Sequence, residues 1–217
     1  MQRYLAVGLG AGGHAKVLVD TLSKMSTHHH LVGLLDSNNK LRGNRILGYE
    51  ILGSDDQLPK LREQGVTHFF VAIGSVKNTQ ARQKLYDKGR QSGFLPLDII
   101  HPQTVVSSTV QHGLGVQIMA GAILNASVEL GDNVLVNTGA IVEHDCKIGD
   151  QVHIAPGACL LGNIKVANDV HIGAKSVIKQ GLDIGAGAVI GAGAVVIQNV
   201  PPNTLAIGVP ANTKILN

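Results

Sequence analysis

The chain has no tryptophan and only three phenylalanines and three tyrosines in 217 residues, an aromatic content of 3%. Such scarcity excludes an aromatic-interleaved nucleic-acid platform, on which bases stack against rings. Cysteine is scarcer still, with Cys146 and Cys159 the only two. No Cys/His spacing matches a zinc site, so no metal is expected. No apolar run approaches the ~20 residues of a membrane span, and the first residues lack the apolar region of a signal peptide. Charge is also sparse, at 15% of residues, with Lys+Arg 18 against Asp+Glu 15 and the basic side chains scattered. A soluble, cytoplasmic chain of one or two domains is expected, with reduced thiols and enough of its 44% hydrophobic residues for a sizeable core.

What is present is a period. From about Val105 to Val200 the chain reads in sixes, and positions 118, 124, 130, 136, 142, 148, 154, 160, 166, 172, 178, 184, 190 and 196 are all Ile, Leu or Val. Two residues before each stands a small or apolar residue, such as Val134, Ala140, Cys146, Val152, Ala158 or Ser176. A fixed short period marks a stacked repeat, and a hexapeptide period marks a parallel β-helix. Each six supplies a short strand and a corner, and three sixes close one triangular coil of 18 residues. A narrow prism has room for Ile, Val, Leu and Ala but seldom for a ring, which accounts for the missing aromatics. Gly follows the aliphatic at 131, 149, 173, 185 and 191, and Gly or Asn suits the corner turns.

The first hundred residues alternate strand and helix instead. Tyr4–Gly8 is a strand running into the glycine-rich Gly8–His14, followed by a helix over Lys16–Lys24. Leu31–Leu35 is a second strand ending at Asp36, and Ile46–Leu52 is a short extended segment. Ser54–Gly65 reads as a helix with Ser54 as N-cap. A third strand, His68–Gly74, and a helix over Asn78–Ser92 complete an α/β domain with a small Rossmann-like parallel sheet. The expected domains are residues 1–100, Rossmann-like, and residues 101–217, an all-β parallel β-helix with a short C-terminal tail.

Gly8-x-Gly10-x-x-Gly13 with Asp36 downstream matches the dinucleotide fingerprint. A dinucleotide crevice needs a second mononucleotide half, which this chain does not supply. The same loop holds any phosphate, because backbone N–H groups and a helix N-terminus attract anions. A nucleotide-linked sugar fits the available space better, while a glycine-rich turn that holds nothing is the bland alternative. In the repeat, His144 stands between Glu143 and Asp145, the setting a general base needs to have its ring oriented and its basicity raised. A solvated surface histidine is the ordinary reading of such a residue. His153 and His171 are 18 apart, hence stacked on one wall. His28-His29-His30 lies in a connecting loop outside the repeat.

Several stretches together resemble the bacterial sugar O-/N-acyltransferases of the sialic acid O-acetyltransferase and UDP-N-acetylbacillosamine N-acetyltransferase type, in the hexapeptide-repeat superfamily. They are Gly10–Val17, Val71–Gly74 with Asn78 and Arg82, Asn137–Cys146, Val152–Gly157, Leu161–Asn163 and Ile207–Ala211. The resemblance implies a nucleotide-sugar-binding domain over residues 1–100, a left-handed parallel β-helix over residues 101–217, and a homotrimer with acetyl-CoA lying between subunits. It implies His144 as general base and Asp145 as the carboxylate that orients it. His153, Gly162, Gly173, Ala174, Gly191 and Pro210 match acetyl-CoA-binding positions. Gly10, Gly12, Gly13, His14, Asp36 and Gly74 match positions that hold the nucleotide sugar. The implied activity is N-acetylation of a nucleotide-linked, UDP-type 4-amino-4,6-dideoxy sugar in cell-surface glycan biosynthesis, with no nucleic-acid or membrane partner. O-acetylation of a sialic acid and a non-catalytic nucleotide-binding scaffold are the rival readings.

Overall fold

A computed structural model describes residues 4–25, 29–75 and 78–216. The chain divides into two compact units, Met1–Gly74 with Arg82–Ile99, and Ser75–Ala81 with Ile100–Asn217.

The first unit runs β1 (Tyr4–Leu9), α1 (Gly13–Lys24), β2 (His29–Leu35), β3 (Arg45–Ile46), β4 (Tyr49–Gly53), α2 (Leu58–Glu63), β5 (His68–Val71), α3 (Gln80–Gln91) and β6 (Leu95–Pro96). Its sheet has the order β3-β4-β2-β1-β5-β6. Every pair is parallel except the β3–β4 hairpin, where Leu47 and Gly48 turn at positive φ. That hairpin replaces the single extended segment expected over Ile46–Leu52. Val7, Leu9, Leu35, Phe69, Val71, Tyr86 and Phe94 form the core, which the alternation of strand and helix brings together. Ser54 stands before a 3-10 turn, Asp55–Gln57, rather than an α-helix, and its hydroxyl donates to Asp56 Oδ2 at 2.9 Å instead of accepting a helical N–H. The α-helix begins at Leu58, where Pro59 fits a first turn that leaves N–H groups unpaired anyway. His29 and His30 open β2 rather than lying in a loop, and His28 is outside the described residues.

The second unit is a left-handed β-helix of two-residue strands. Three parallel walls carry them: 117–118, 135–136, 153–154, 171–172 and 189–190 on the first; 105–106 to 195–196 on the second; 111–112 to 183–184 on the third. Each strand pairs with the one 18 residues on, as Leu135 with His153 and His153 with His171. All fourteen aliphatics of the register, from Ile118 to Val196, are at most 5% exposed. A C-terminal hairpin, Thr204–Gly208 with Ala211–Ile215, closes the first wall.

Two kinds of glycine serve this coil. The corner residue, three after each aliphatic from Ile118 to Ile190, takes a left-handed φ, whether it is Gly121, Ser127, Asn133, Asp145 or Gly157. Asn and Asp tolerate that geometry better than most residues. Gly131 and Gly149 have no such φ. There a Cβ would collide with the Oδ1 atoms of Asp150 and Asn168. Those oxygens accept backbone N–H groups of the coil below, Asp132 N–H to Asp150 at 2.8 Å and Asp150 N–H to Asn168 at 2.9 Å. The glycine makes room for a side-chain ladder that ties successive coils.

Candidate active site

In the first unit, Gly10, Asp36 and Gly74 follow β1, β2 and β5, so they share the carboxyl edge of the parallel sheet, where α/β folds bind ligands. Gly10 has φ +116°, and a Cβ there would strike Ile73 and Ala72. Its N–H donates to Leu35 O at 2.7 Å. Asp36 Oδ2 accepts from Ala11 N–H and Oδ1 from Asn38 N–H, each at 2.9 Å. The carboxylate thus ties the glycine loop to the end of β2, with lone pairs to spare for a ribose hydroxyl. Gly12 caps α1 without a side chain, no acidic residue stands in the first turn, and both Gly12 and Gly13 face open space. That leaves a bare positive helix end suited to a phosphate, with His14 half-buried in the same first turn. The guanidinium of Arg82 is fully buried, which lowers its pKa to about 10, and Nη1 donates to Ile73 O at 2.5 Å beside Gly74.

In the second unit, His144 stands at the corner after the strand Ile141–Val142, with its side chain half-exposed. Its Nδ1 lies 2.8 Å from Asp145 Oδ2. A carboxylate can only accept, so Nδ1 carries the proton and Nε2 keeps its lone pair in the neutral ring. Asp145 reaches back because its φ is +60°. Gly162, one coil on, is buried directly under the ring, and a Cβ there would lie 2.6 Å from Cε1 and Nε2 of His144. Gly173, Ala174 and Gly191 share a different corner, with Gly191 backed by Ile207 of the C-terminal hairpin. Pro210 is exposed at the tip of that hairpin, after a cis peptide bond. The structure therefore gathers His144, Asp145 and Gly162 at one corner and the other small residues at a second.

His153 lies on the first wall, nine residues and half a coil from His144, and is 4% exposed. Its Nδ1 contacts Ser75 Oγ at 2.7 Å and Ser75 O at 3.1 Å, and its Nε2 contacts Asn137 Nδ2 at 3.3 Å. The His171 ring meets it edge-on at 4.9 Å. Sequence reasoning missed Ser75, which nothing in the repeat marks. The two thiols are held protonated: burial raises Cys146 and Cys159, and Glu143 adds to both. Neither is fit to be a nucleophile. Among the described residues, no group of three or more His, Cys, Asp or Glu side chains is placed to hold a metal, and no helix is long and apolar enough to cross a membrane.

A family profile described as the PglD N-terminal domain matches residues 7–88, and one for six bacterial transferase hexapeptide repeats matches residues 127–162. No curated protein matches the chain. Among solved structures, PerB from Caulobacter crescentus, in complex with CoA and GDP-perosamine, is 40% identical over 96% of each chain, with a TM-score of 0.89. A variant of perosamine N-acetyltransferase from the same organism, with one histidine replaced by asparagine and the same two ligands, is 38% identical over 96% of each chain at 0.89. The acetyltransferase domain of PglB from Neisseria gonorrhoeae, in complex with acetyl coenzyme A, is 31% identical. It covers 97% of this chain and 99% of that one at 0.86.

Proposed function

The chain belongs to the bacterial sugar N-acetyltransferases that join a PglD-type domain to a hexapeptide-repeat β-helix, and from that premise we propose its catalytic base, its carrier nucleotide and its assembly. It is an acetyl-CoA-dependent acyltransferase acting on a nucleotide-linked amino sugar. The base is His144, and the observation that carries this is the 2.8 Å contact of Nδ1 with Asp145 over the floor of Gly162. With Nδ1–H held by the carboxylate, Nε2 takes a proton from the acceptor amine as that amine attacks the thioester carbonyl. The C–N bond forms, the C–S bond breaks, and CoA leaves as the thiol once it regains the proton. Asp145 steadies the imidazolium formed on the way.

The acceptor is a 4-amino-4,6-dideoxy sugar whose diphosphate sits at the bare end of α1, with Gly10, Gly12, Gly13, His14, Asp36 and Gly74 around it. The open helix end and the paired Asp36 support this placement. Uridine is the carrier that the sequence resemblance points to, whereas guanosine is favoured by the GDP-perosamine bound to PerB. Acetyl-CoA runs past Gly162, Gly173, Ala174, Gly191 and Pro210 in the groove of a homotrimer. Two features support that assembly. The first is that the chain carries a hexapeptide-repeat β-helix like that of its relatives. The second is that the second wall turns an apolar column outward, including Val105, Ile123, Ile141, Cys159, Val177 and Val195, which a second copy would cover.

CoA release from acetyl-CoA, followed with a thiol reagent, tests the reading. Acceptors are UDP-, GDP- and dTDP-linked 4-amino sugars, with free and CMP-linked sialic acid alongside. Release with one amino-sugar nucleotide supports the proposal and names the carrier. Release with sialic acid alone moves the activity to O-acetylation, and none with any acceptor returns the chain to a scaffold.

A further inference from the structure

The His153–His171 pair is held by a residue that the repeat does not contain. Ser75 belongs to the segment Ser75–Ala81, which is part of the second unit although it precedes the coil by some 25 residues. The same segment is fixed again where Thr79, 1% exposed, donates to Asp169 Oδ1 at 3.2 Å.

The hydrogen positions in this cluster follow from the partners. The Ser75 carbonyl, 3.1 Å from His153 Nδ1, can only accept, so Nδ1 bears hydrogen. Asn137 Oδ1 accepts from Thr138 N–H at 2.8 Å, which fixes the orientation of the amide. Asn137 Nδ2 therefore donates toward His153 Nε2, which must offer a lone pair. Both ring atoms agree on one neutral tautomer. The Ser75 hydroxyl accepts from Nδ1–H at 2.7 Å and turns its own hydrogen to His171 Nδ1 at 3.4 Å. His171 is 9% exposed, and burial draws its pKa down, in keeping with a neutral ring that accepts.

We propose that Ser75 is a positioning residue for acetyl transfer, locking His153 as the Nδ1–H tautomer and joining it to His171 so that Nε2 stays an acceptor. The inference deepens the acetyltransferase reading and rests on it for its catalytic part. In this state His153 has no hydrogen at Nε2 to offer a thioester carbonyl. It instead holds the Asn137 amide in one orientation, which leaves the second amide hydrogen of Asn137 with a fixed direction. A histidine acting as a donor to the carbonyl would need the opposite tautomer or a second proton, and the Ser75 carbonyl and Asn137 amide together disfavour both.

The test is ring-nitrogen NMR on the full chain labelled with 15N-histidine, with a His153→Asn variant to assign the signals. At neutral pH the wild type should show His153 protonated at Nδ1 and bare at Nε2. An Nε2-protonated or doubly protonated His153 overturns the inference. Ser75→Ala keeps the backbone acceptor and loses the bridge. The His171 signals should move, and kcat should fall about 10-fold with the KM for acetyl-CoA nearly unchanged, since binding contacts remain while orientation is lost. Ser75→Thr, which restores the hydroxyl, should recover both. Unchanged signals and unchanged kcat in Ser75→Ala overturn the proposal. The ring signals are read without substrate. A wild type that releases no CoA with any acceptor, yet shows the Nδ1–H ring and His171 signals that move in Ser75→Ala, overturns the activity and leaves the lock standing.

Discussion

Gly162 shows how much of the proposed base's placement lies in its neighbours. The His144 ring rests where a Cβ on Gly162 would be, so Gly162→Ala must rotate or lift the imidazole. We expect kcat to drop about 10²-fold, because misplacement on the scale of 1 Å costs that much. Thermal stability should change little, and kcat equal to wild type would show that the ring accommodates the methyl group. Two other histidines set a pH dependence. Burial lowers His171 below the usual 6.5, and burial followed by the charge of His29 lowers His68. The unfolded chain then takes up protons near that value that the folded chain refuses. Stability is complete above it and declines as pH falls toward the lower folded-state values. Tm should therefore decrease between about pH 8 and about pH 5, and decrease less in His171→Asn. A Tm that rises on acidification would mean these rings gain partners when charged. The sequence disclosed His144 because two carboxylates flank it. It disclosed nothing of Ser75, whose partner His153 is 78 positions away, since no local pattern encodes so distant a contact.

The coil is the element most plainly written in the chain. Its period is local, so fourteen aliphatics in register specify the buried column whatever surrounds it. Val142 and Ile148, 0% and 3% exposed, sit in that column with neighbours on the other walls. A carboxylate there has no partner, and burying it unpaired is costly enough to break the coil. Val142→Asp should abolish cooperative melting or make the protein insoluble, as circular dichroism would show. An unaltered melting curve would place the column on the wrong face. The glycines were less legible. Gly131 and Gly149 look like corner residues in sequence, but their role depends on Asp150 and Asn168 one coil later. A 6-residue period does not reveal that an 18-residue ladder of side-chain oxygens fills the space. The start of α2 is hidden in the same way, because a 3-10 turn over Asp55–Gln57 intervenes and Ser54 bonds Asp56 rather than a helical N–H.

For the molecule as a whole, the outward column of the second wall sets the expected assembly. Ile141→Arg puts a charge in the middle of it without touching the inward column. Light scattering should then report trimers for the wild type and monomers for the variant, and CoA release should fall if the proposed groove between copies is lost. A trimeric variant would mean another face makes the contact. The two-part plan of the molecule was readable from the change of period alone. The return of Ser75–Ala81 to the β-helix unit was not, because seven residues without repeat or charge pattern carry no signal. The most direct measurement of the central claim is kcat for acetyl transfer to the preferred nucleotide-linked amino sugar, wild type against His144→Ala, in preparations matched for Tm and oligomeric state. The account predicts a loss of about 10²–10⁴-fold, the usual contribution of a general base. Activity equal to wild type would contradict it and remove His144 from the mechanism.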